Sequence, residues 1–123
     1  MDRLEALALT LSNLNGFSDP QSVAFCNANP GMLKAYSLKQ AMNADQLRVF
    51  GSFLDGYQAL LFDLKIKLSG KSRTKLGLHN SLLDLLRVYG HADSAPALRF
   101  LRHALHDPQI NDKTTLLYFT LSE

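Results

Sequence analysis

Apolar residues recur at intervals of three and four residues along most of this chain, which is the spacing of one face of an α-helix. The first such run extends from Leu4 to Leu14 and is followed by Asn15-Gly16, a pair that commonly ends a helix. Ser18 can cap a second, short helix, which the Asn- and Pro-containing stretch 27–31 stops. A third helical segment is predicted over residues 32–41, where the apolar positions are less regular.

The clearest periodic segment lies in the middle of the chain. Its apolar positions alternate between steps of three and four residues: Leu47, Phe50, Leu54, Tyr57, Leu61, Leu64 and Leu68. With a capping residue at Asn43 and a terminating Ser69-Gly70 pair, this stripe predicts one helix over residues 43–69, about 37 Å long. Gly51 and Gly56 interrupt the stripe, and a residue without a side chain lets another backbone come close. We expect this long helix to be central, with the other helices packed around it.

Two further helices follow from the same reasoning. One is predicted over residues 76–89 and is closed by Gly90. Another opens at Ser94 and Pro96 and ends at Asp107-Pro108.

The last segment, residues 113–121, fits two patterns. Asp112 can cap a helix there, whereas the alternation of polar and apolar residues is typical of a strand. A lone strand finds no partner in a helical domain, so a helix is favoured. The predicted fold class is therefore all-α: a compact bundle of five to seven helices with a long central helix near residues 43–69, in a single helical domain spanning residues 1–123.

The composition favours helices over sheets. Leucine accounts for 25 of the 123 residues, against three valines and two isoleucines, and leucine keeps its rotamers in a helix whereas β-branched residues lose them. A single cysteine, Cys26, excludes an internal disulfide and favours a reducing compartment. No apolar run reaches the roughly 18 residues that a membrane span requires, and the first residues lack a signal-peptide pattern. We expect a soluble, cytoplasmic protein.

The net charge is only +2, but positive charge is concentrated in one part of the chain. Residues 64–103 contain eight basic side chains and two acidic ones. The basic set consists of Lys65, Lys67, Lys71, Arg73, Lys75, Arg87, Arg99 and Arg102. Lysine and arginine release counterions from phosphates, so this set is a candidate contact for nucleic acid or another anionic partner. An alternative remains open, because cations at a helix C-terminus favour its dipole and charged side chains in a loop are simply solvated.

The patterns that accompany catalysis or metal binding are incomplete. The stretch 69–72, Ser-Gly-Lys-Ser, resembles the end of a phosphate-binding loop, but the glycine that this motif needs five residues before its second member is replaced by Lys65. His103 and His106 are one helical turn apart and provide half of a zinc site, with no cysteine pair to complete it. Cys26 lies in an apolar run, where a buried thiol is inert. We therefore expect no metal, no cofactor and no catalytic residue, and an enzyme with a site that these patterns miss is the less favoured interpretation.

Two functional hypotheses follow. The first is a small non-catalytic binding module, an adaptor, inhibitor or regulator that acts through protein–protein contacts, including self-association as a homodimer. It depends on the absence of a catalytic set and on the spare aromatic residues of the long helix, Phe50, Phe53 and Tyr57, as a dimer or partner face. The alternative is a nucleic-acid-binding protein that uses the basic segment 65–75 and the three arginines that follow it.

Overall fold

The computed structural model describes residues 2–35, 42, 46–70 and 76–121. Within these residues five α-helices and one 3₁₀ helix follow one another, and β-pairing is limited to three isolated bridges. The elements are α1 (Arg3–Leu14), α2 (Val23–Cys26), α3 (Phe53–Leu68), α4 (Leu82–Val88), α5 (Ala95–Ala104) and the 3₁₀ helix Leu116–Thr120. The all-α fold class is confirmed for this part of the chain.

Helix α1 is the central element of the packing. The Asp2 side chain caps it by accepting hydrogen bonds from the backbone N–H groups of Leu4 and Glu5. The helix packs against α3, α5 and the 3₁₀ helix, and its fully buried Ala6 and Ala8 have side chains small enough to let neighbouring elements come close. The core is one cluster of buried side chains, mostly leucines, from α1, α3, α4, α5 and the 3₁₀ helix.

The prediction of one long helix near residues 43–69 is wrong for the described residues that precede α3, which are residues 46–52. Helix α3 begins only at Phe53, and residues 46–52 are not helical. Ser52 has an extended backbone, and its hydroxyl caps α3 by accepting a hydrogen bond of 3.1 Å from the Asp55 N–H. The observed helix therefore has 16 residues, and the central position that we expected of it belongs to α1.

Hydrogen bonds between distant residues hold the segment before α3 in its non-helical form. The Ala35 N–H donates to the Gln46 carbonyl at 2.7 Å, and the Arg48 N–H donates to the Leu33 carbonyl at 2.9 Å. The fully buried side chain of Asn29 joins the two stretches. Its amide donates to the carbonyl oxygens of Leu33 and Arg48, and its own oxygen accepts from the Leu33 N–H. These bonds take the place of the local helical bonds that the spacing predicts.

The helix predicted over residues 32–41 is also absent where the structure describes it. Residues 32–35 are not helical, and Lys34 forms an antiparallel bridge with Leu47. Residues 36–41 and 43–45 lie outside the described part of the chain.

A close backbone contact at Gly56 sets the side of α3 that faces the core. A Cβ atom on this residue would lie 1.8 Å from the carbonyl oxygen of Ala28, so only glycine permits the approach. The prediction that this glycine admits another backbone is therefore confirmed. With α3 in this orientation, Leu60 and Leu64 are fully buried, whereas Leu54 is exposed.

The helix predicted over residues 76–89 is shorter than expected and begins at Leu82. The preceding residues form a turn in which the Gly77 N–H donates to the Asn80 side chain at 2.8 Å. Ser81 and Asp84 then make a capping box, in which each side chain accepts a hydrogen bond from the backbone N–H of the other. The cap fixes the start of α4 at Leu82, nearly two turns later than apolar spacing alone indicates.

The tail combines the two patterns that residues 113–121 fit. Thr115 forms an antiparallel bridge with Ser81, and the Leu116 N–H donates to the Asn80 carbonyl at 2.8 Å. Immediately afterwards the chain turns into the 3₁₀ helix, which buries Leu116 and Phe119. The favoured α-helix is therefore replaced by one strand-like bridge followed by a short, tighter helix.

Candidate functional site

The two most exposed large apolar side chains among the described residues belong to α3. Phe62 is 66 % exposed and Leu54 is 63 % exposed. Phe62 and Ile66 are one helical turn apart on the side opposite Leu60 and Leu64. We call Leu54, Phe62 and Ile66 the outer face of α3, although Leu54 lies two turns before Phe62 and about 80° around the helix from it. Helix α3 is thus apolar on two sides, of which only one is covered by the core.

Two residues of this outer face are not part of the apolar stripe that the sequence predicts. Phe62 and Ile66 fall between the positions of the predicted stripe, and Leu54 was assigned to the stripe itself. One signal was available: a helix that already has a complete apolar stripe for the core gains nothing in its own fold from further large apolar residues.

The predicted partner face is divided by the fold. Phe53 is 49 % exposed, Phe50 is half-buried with the Arg48 guanidinium 4.4 Å from its ring centre, and Tyr57 packs against the core. Burial, assisted by the carboxylates of Glu5 and Asp2, raises the pKa of the Tyr57 phenol. Of the three aromatic residues, only Phe53 is exposed.

Phe53 belongs to a cluster of three aromatic rings. Its ring centre lies 5.4 Å from that of Phe17, edge to face, and 5.2 Å from that of Phe25. The rings of Phe17 and Phe25 are 6.2 Å apart. The cluster joins the turn after α1, the short helix α2 and the start of α3, so it fixes the end of α3 at which Leu54 lies.

The described members of the predicted basic set lie on three different helices. Lys65, Arg87 and Arg99 are exposed on α3, α4 and α5. Arg102 uses its Nε–H to donate a hydrogen bond of 2.7 Å to the Ile110 carbonyl. Lys67 is only 8 % exposed and pairs with a carboxylate of its own helix. The remaining members, Lys71, Arg73 and Lys75, lie outside the described residues, so the nucleic-acid contact stays a prediction.

The partner of Lys67 is Asp63, one turn earlier on α3. The Lys67 ammonium donates to Asp63 Oδ2 at 2.5 Å, and the Tyr89 hydroxyl donates to the same oxygen at 2.5 Å. The ammonium also lies 5.0 Å from the centre of the Tyr89 ring. This network borders a cavity of about 380 Å³ that residues 31–34 and 88–90 complete. A second cavity, of about 280 Å³, lies between the start of α1, the end of α3 and the 3₁₀ helix.

The groups suited to metal binding or covalent chemistry are dispersed. No group of three His, Cys, Asp or Glu side chains with metal-binding geometry occurs within residues 2–35, 42, 46–70 and 76–121. Cys26 is exposed, not buried as its apolar neighbours suggested, because α2 ends there and turns it outward. His91 has Nε2 2.8 Å from Asn15 Oδ1, and burial lowers the pKa of its imidazole. His103 and His106 are both exposed.

Comparison with known proteins adds no assignment. No protein-family model matches the chain, and neither a characterised protein nor a solved structure matches it. Among the helices that the structure describes, none is both long enough and apolar enough to cross a membrane. The functional argument therefore depends on the geometry of the described residues.

Proposed function

We propose that this protein is a non-catalytic binding module that acts through protein–protein contacts, with α3 as its docking helix. The observation that carries the proposal is the outer face of α3, where Phe62 and Leu54 are largely exposed while the same helix fills the core with its other side. Covering a phenylalanine side chain contributes about 1.5–3 kcal/mol to binding. Exposed apolar side chains grouped on one element are therefore a characteristic of interaction surfaces.

Phe53 supports the same role at the start of the helix. It lies next to Leu54 in the chain and is held by the rings of Phe17 and Phe25. Rigid aromatic side chains contribute more than most others to protein–protein binding, because little conformational entropy is lost when a partner covers them.

A second copy of the chain is the simplest partner, because two-fold symmetry makes one apolar helix face serve both subunits. Another protein with an apolar surface of matching size fits the same face. We place the module in the cytoplasm, since its surface thiol, Cys26, remains reduced in that compartment.

The proposal is tested with Phe62→Glu, which places a charge in the centre of the outer face and leaves the core side of α3 unchanged. Light scattering over a range of concentrations measures self-association, and quantitative mass spectrometry of proteins retained from a cell extract measures other partners. We expect the variant to lose about tenfold or more of the self-association or of the retention of one specific partner.

Leu117→Glu is the matched control, because Leu117 is also an exposed apolar residue but lies on the 3₁₀ helix. It should keep the binding of the wild type. A wild-type protein that is monomeric at all concentrations, together with identical retained proteins for Phe62→Glu and Leu117→Glu, would contradict the proposal.

A further inference from the structure

The cavity beside the Asp63–Lys67 pair has features that docking by the outer face of α3 does not use. Its wall consists of loop residues 31–34, the two charged residues of α3, and residues 88–90 at the C-terminal end of α4. We propose that this cavity binds a small organic carboxylate, whose charged group is held by Lys34 and Lys67 and whose apolar part lies against Met32, Leu33 and Val88. A volume of about 380 Å³ falls at the lower end of the range of small-molecule sites, which suits a ligand of a few carbon atoms.

The charge of the lining favours an anion. Among the described residues that line the cavity, Lys34 and Lys67 are cationic and Asp63 is anionic. The Asp63 oxygen is already engaged by two hydrogen bonds of 2.5 Å, from Lys67 and Tyr89. The lining therefore has one positive charge that its own carboxylate does not neutralise. A ligand with one negative charge balances it, whereas a cationic ligand meets repulsion.

The position of Lys67 is favourable for this role. Its ammonium is held by Asp63 and by the face of the Tyr89 ring, so it does not need to be ordered when the ligand arrives. Lysine carries three N–H donors, and the buried Lys67 is screened less by water than the exposed Lys34 at the rim. Lys67 thus provides fixed N–H donors, and Lys34 provides the positive charge that Asp63 does not neutralise.

The loop wall of the cavity is fixed from behind. Gly31 lies so close to the core that a Cβ atom there would be 2.7 Å from Leu60 Cδ1. Met32 has a left-handed backbone, with φ of 50°, which an L-residue adopts only when its surroundings hold it there. The buried Asn29 side chain clamps Leu33 through its N–H and its carbonyl oxygen. The cavity is therefore preformed, and binding does not have to order the loop.

The test uses the full-length ¹⁵N-labelled protein and three probes of similar size: butyrate, butylammonium and butan-1-ol. We expect butyrate to shift the amide signals of Gly31, Met32 and Gly90 saturably, with a dissociation constant in the millimolar range. Butylammonium and butan-1-ol should give no saturable shifts at these residues. No saturable shift with butyrate, or equal shifts with butyrate and butylammonium, would overturn the proposal.

Two variants separate this site from a general attraction of anions to a basic protein. Lys34→Met should weaken butyrate binding at least fivefold, and Val88→Trp, which narrows the cavity from an exposed position, should abolish it. Lys65→Met removes the same charge from an exposed position on α3 that does not line the cavity. The affinity of this variant for butyrate should therefore equal that of the wild type. Equal losses in Lys34→Met and Lys65→Met would show that no site is formed. Outer-face docking is unaffected by either result, because the cavity lining does not include Phe62 or Leu54.

Discussion

Gly56 and Asn29 act on the fold through contacts that the spacing of apolar residues does not encode. Gly56 matters because a neighbouring backbone occupies the space of a side chain, and Asn29 because its buried amide satisfies backbone groups of two distant stretches. Both residues bear on the site as well. The first sets which side of α3 is left exposed, and the second holds the loop that forms one wall of the cavity.

Gly56→Ala is expected to be strongly destabilising. The added methyl group cannot be placed without moving Ala28, whose carbonyl oxygen would be 1.8 Å away. We expect a loss of about 2–4 kcal/mol in the free energy of unfolding, measured by urea titration. Gly51→Ala is the control, because a Cβ atom there meets nothing nearer than 3.9 Å and should change stability by less than about 1 kcal/mol. Equal losses in the two variants would contradict this role of Gly56.

At the scale of elements, the caps decide where the helices begin. Helices α2, α3 and α4 each start after a serine whose hydroxyl accepts a hydrogen bond from an N–H of the first turn. These serines lie at positions 22, 52 and 81, and only the pattern of hydrogen bonds distinguishes them from the other serines of the chain. Local spacing therefore predicted these helices but misplaced the starts of α2, α3 and α4, and the cap of α2 is Ser22, not Ser18 as predicted.

The capping box of α4 has a measurable effect on stability. Ser81→Ala removes the hydroxyl that accepts from the Asp84 N–H, so we expect a loss of about 1 kcal/mol and a lower Tm. Ser18→Ala, at an exposed position between α1 and α2, should leave the Tm unchanged. An unaltered Tm in Ser81→Ala would mean that the cap does not contribute.

The capping box of α4 also predicts that the stability of the fold depends on pH. Hydrogen bonds from the Ser81 N–H and the Asn80 amide hold the pKa of Asp84 below its usual value. A carboxyl group of this kind stabilises the folded state fully above its unfolded pKa of about 3.9, and the contribution is lost as the pH falls through the lower folded-state value. The Tm deficit of Asp84→Ala should therefore be constant from about pH 7 to about pH 5 and shrink below about pH 4.

Ser81→Ala serves as the reference for the pH series. The Ser81 hydroxyl accepts its main hydrogen bond from the Asp84 N–H and is only a smaller cause of the lowered Asp84 pKa, so the Tm deficit of Ser81→Ala should vary less with pH. An Asp84→Ala deficit that has the same size at about pH 3 and about pH 7 would contradict the role assigned to the carboxylate.

At the scale of the whole molecule, α1 determines how the other helices are arranged. It packs against α3, α5 and the 3₁₀ helix, so these elements share one core through it. Leu7 is fully buried in α1. Its replacement by alanine is expected to lower the free energy of unfolding by about 2–5 kcal/mol. Hydrogen exchange should then accelerate in α5 and in the 3₁₀ helix as well as in α1.

Leu117→Ala is the corresponding control, because Leu117 is an exposed residue of the 3₁₀ helix. It should change stability by less than about 1 kcal/mol and leave the exchange of α1 and α5 as in the wild type. Faster exchange confined to α1 in Leu7→Ala would argue against a shared core.

The sequence supported the fold class better than the site. Periodicity placed α1 and α5 close to their observed bounds, because both carry their core residues at helical spacing with a stop signal beyond them. It failed for residues 46–52 because Leu47 and Phe50 have helical spacing but pair with earlier residues. For the basic set, periodicity does not reveal that Lys67 pairs with Asp63 or that Arg102 donates to the Ile110 carbonyl.

What the sequence determined by itself is the helical character of the chain and its leucine core, since helix propensity and apolar spacing are local properties. What the tertiary structure decided is which apolar side chains remain in water. The contact between Gly56 and Ala28 and the bond from Asn29 to the Arg48 carbonyl join residues 19 or more positions apart, and they accompany an α3 that begins only at Phe53. Spacing cannot indicate such contacts, because each depends on where a distant backbone lies once the core has formed.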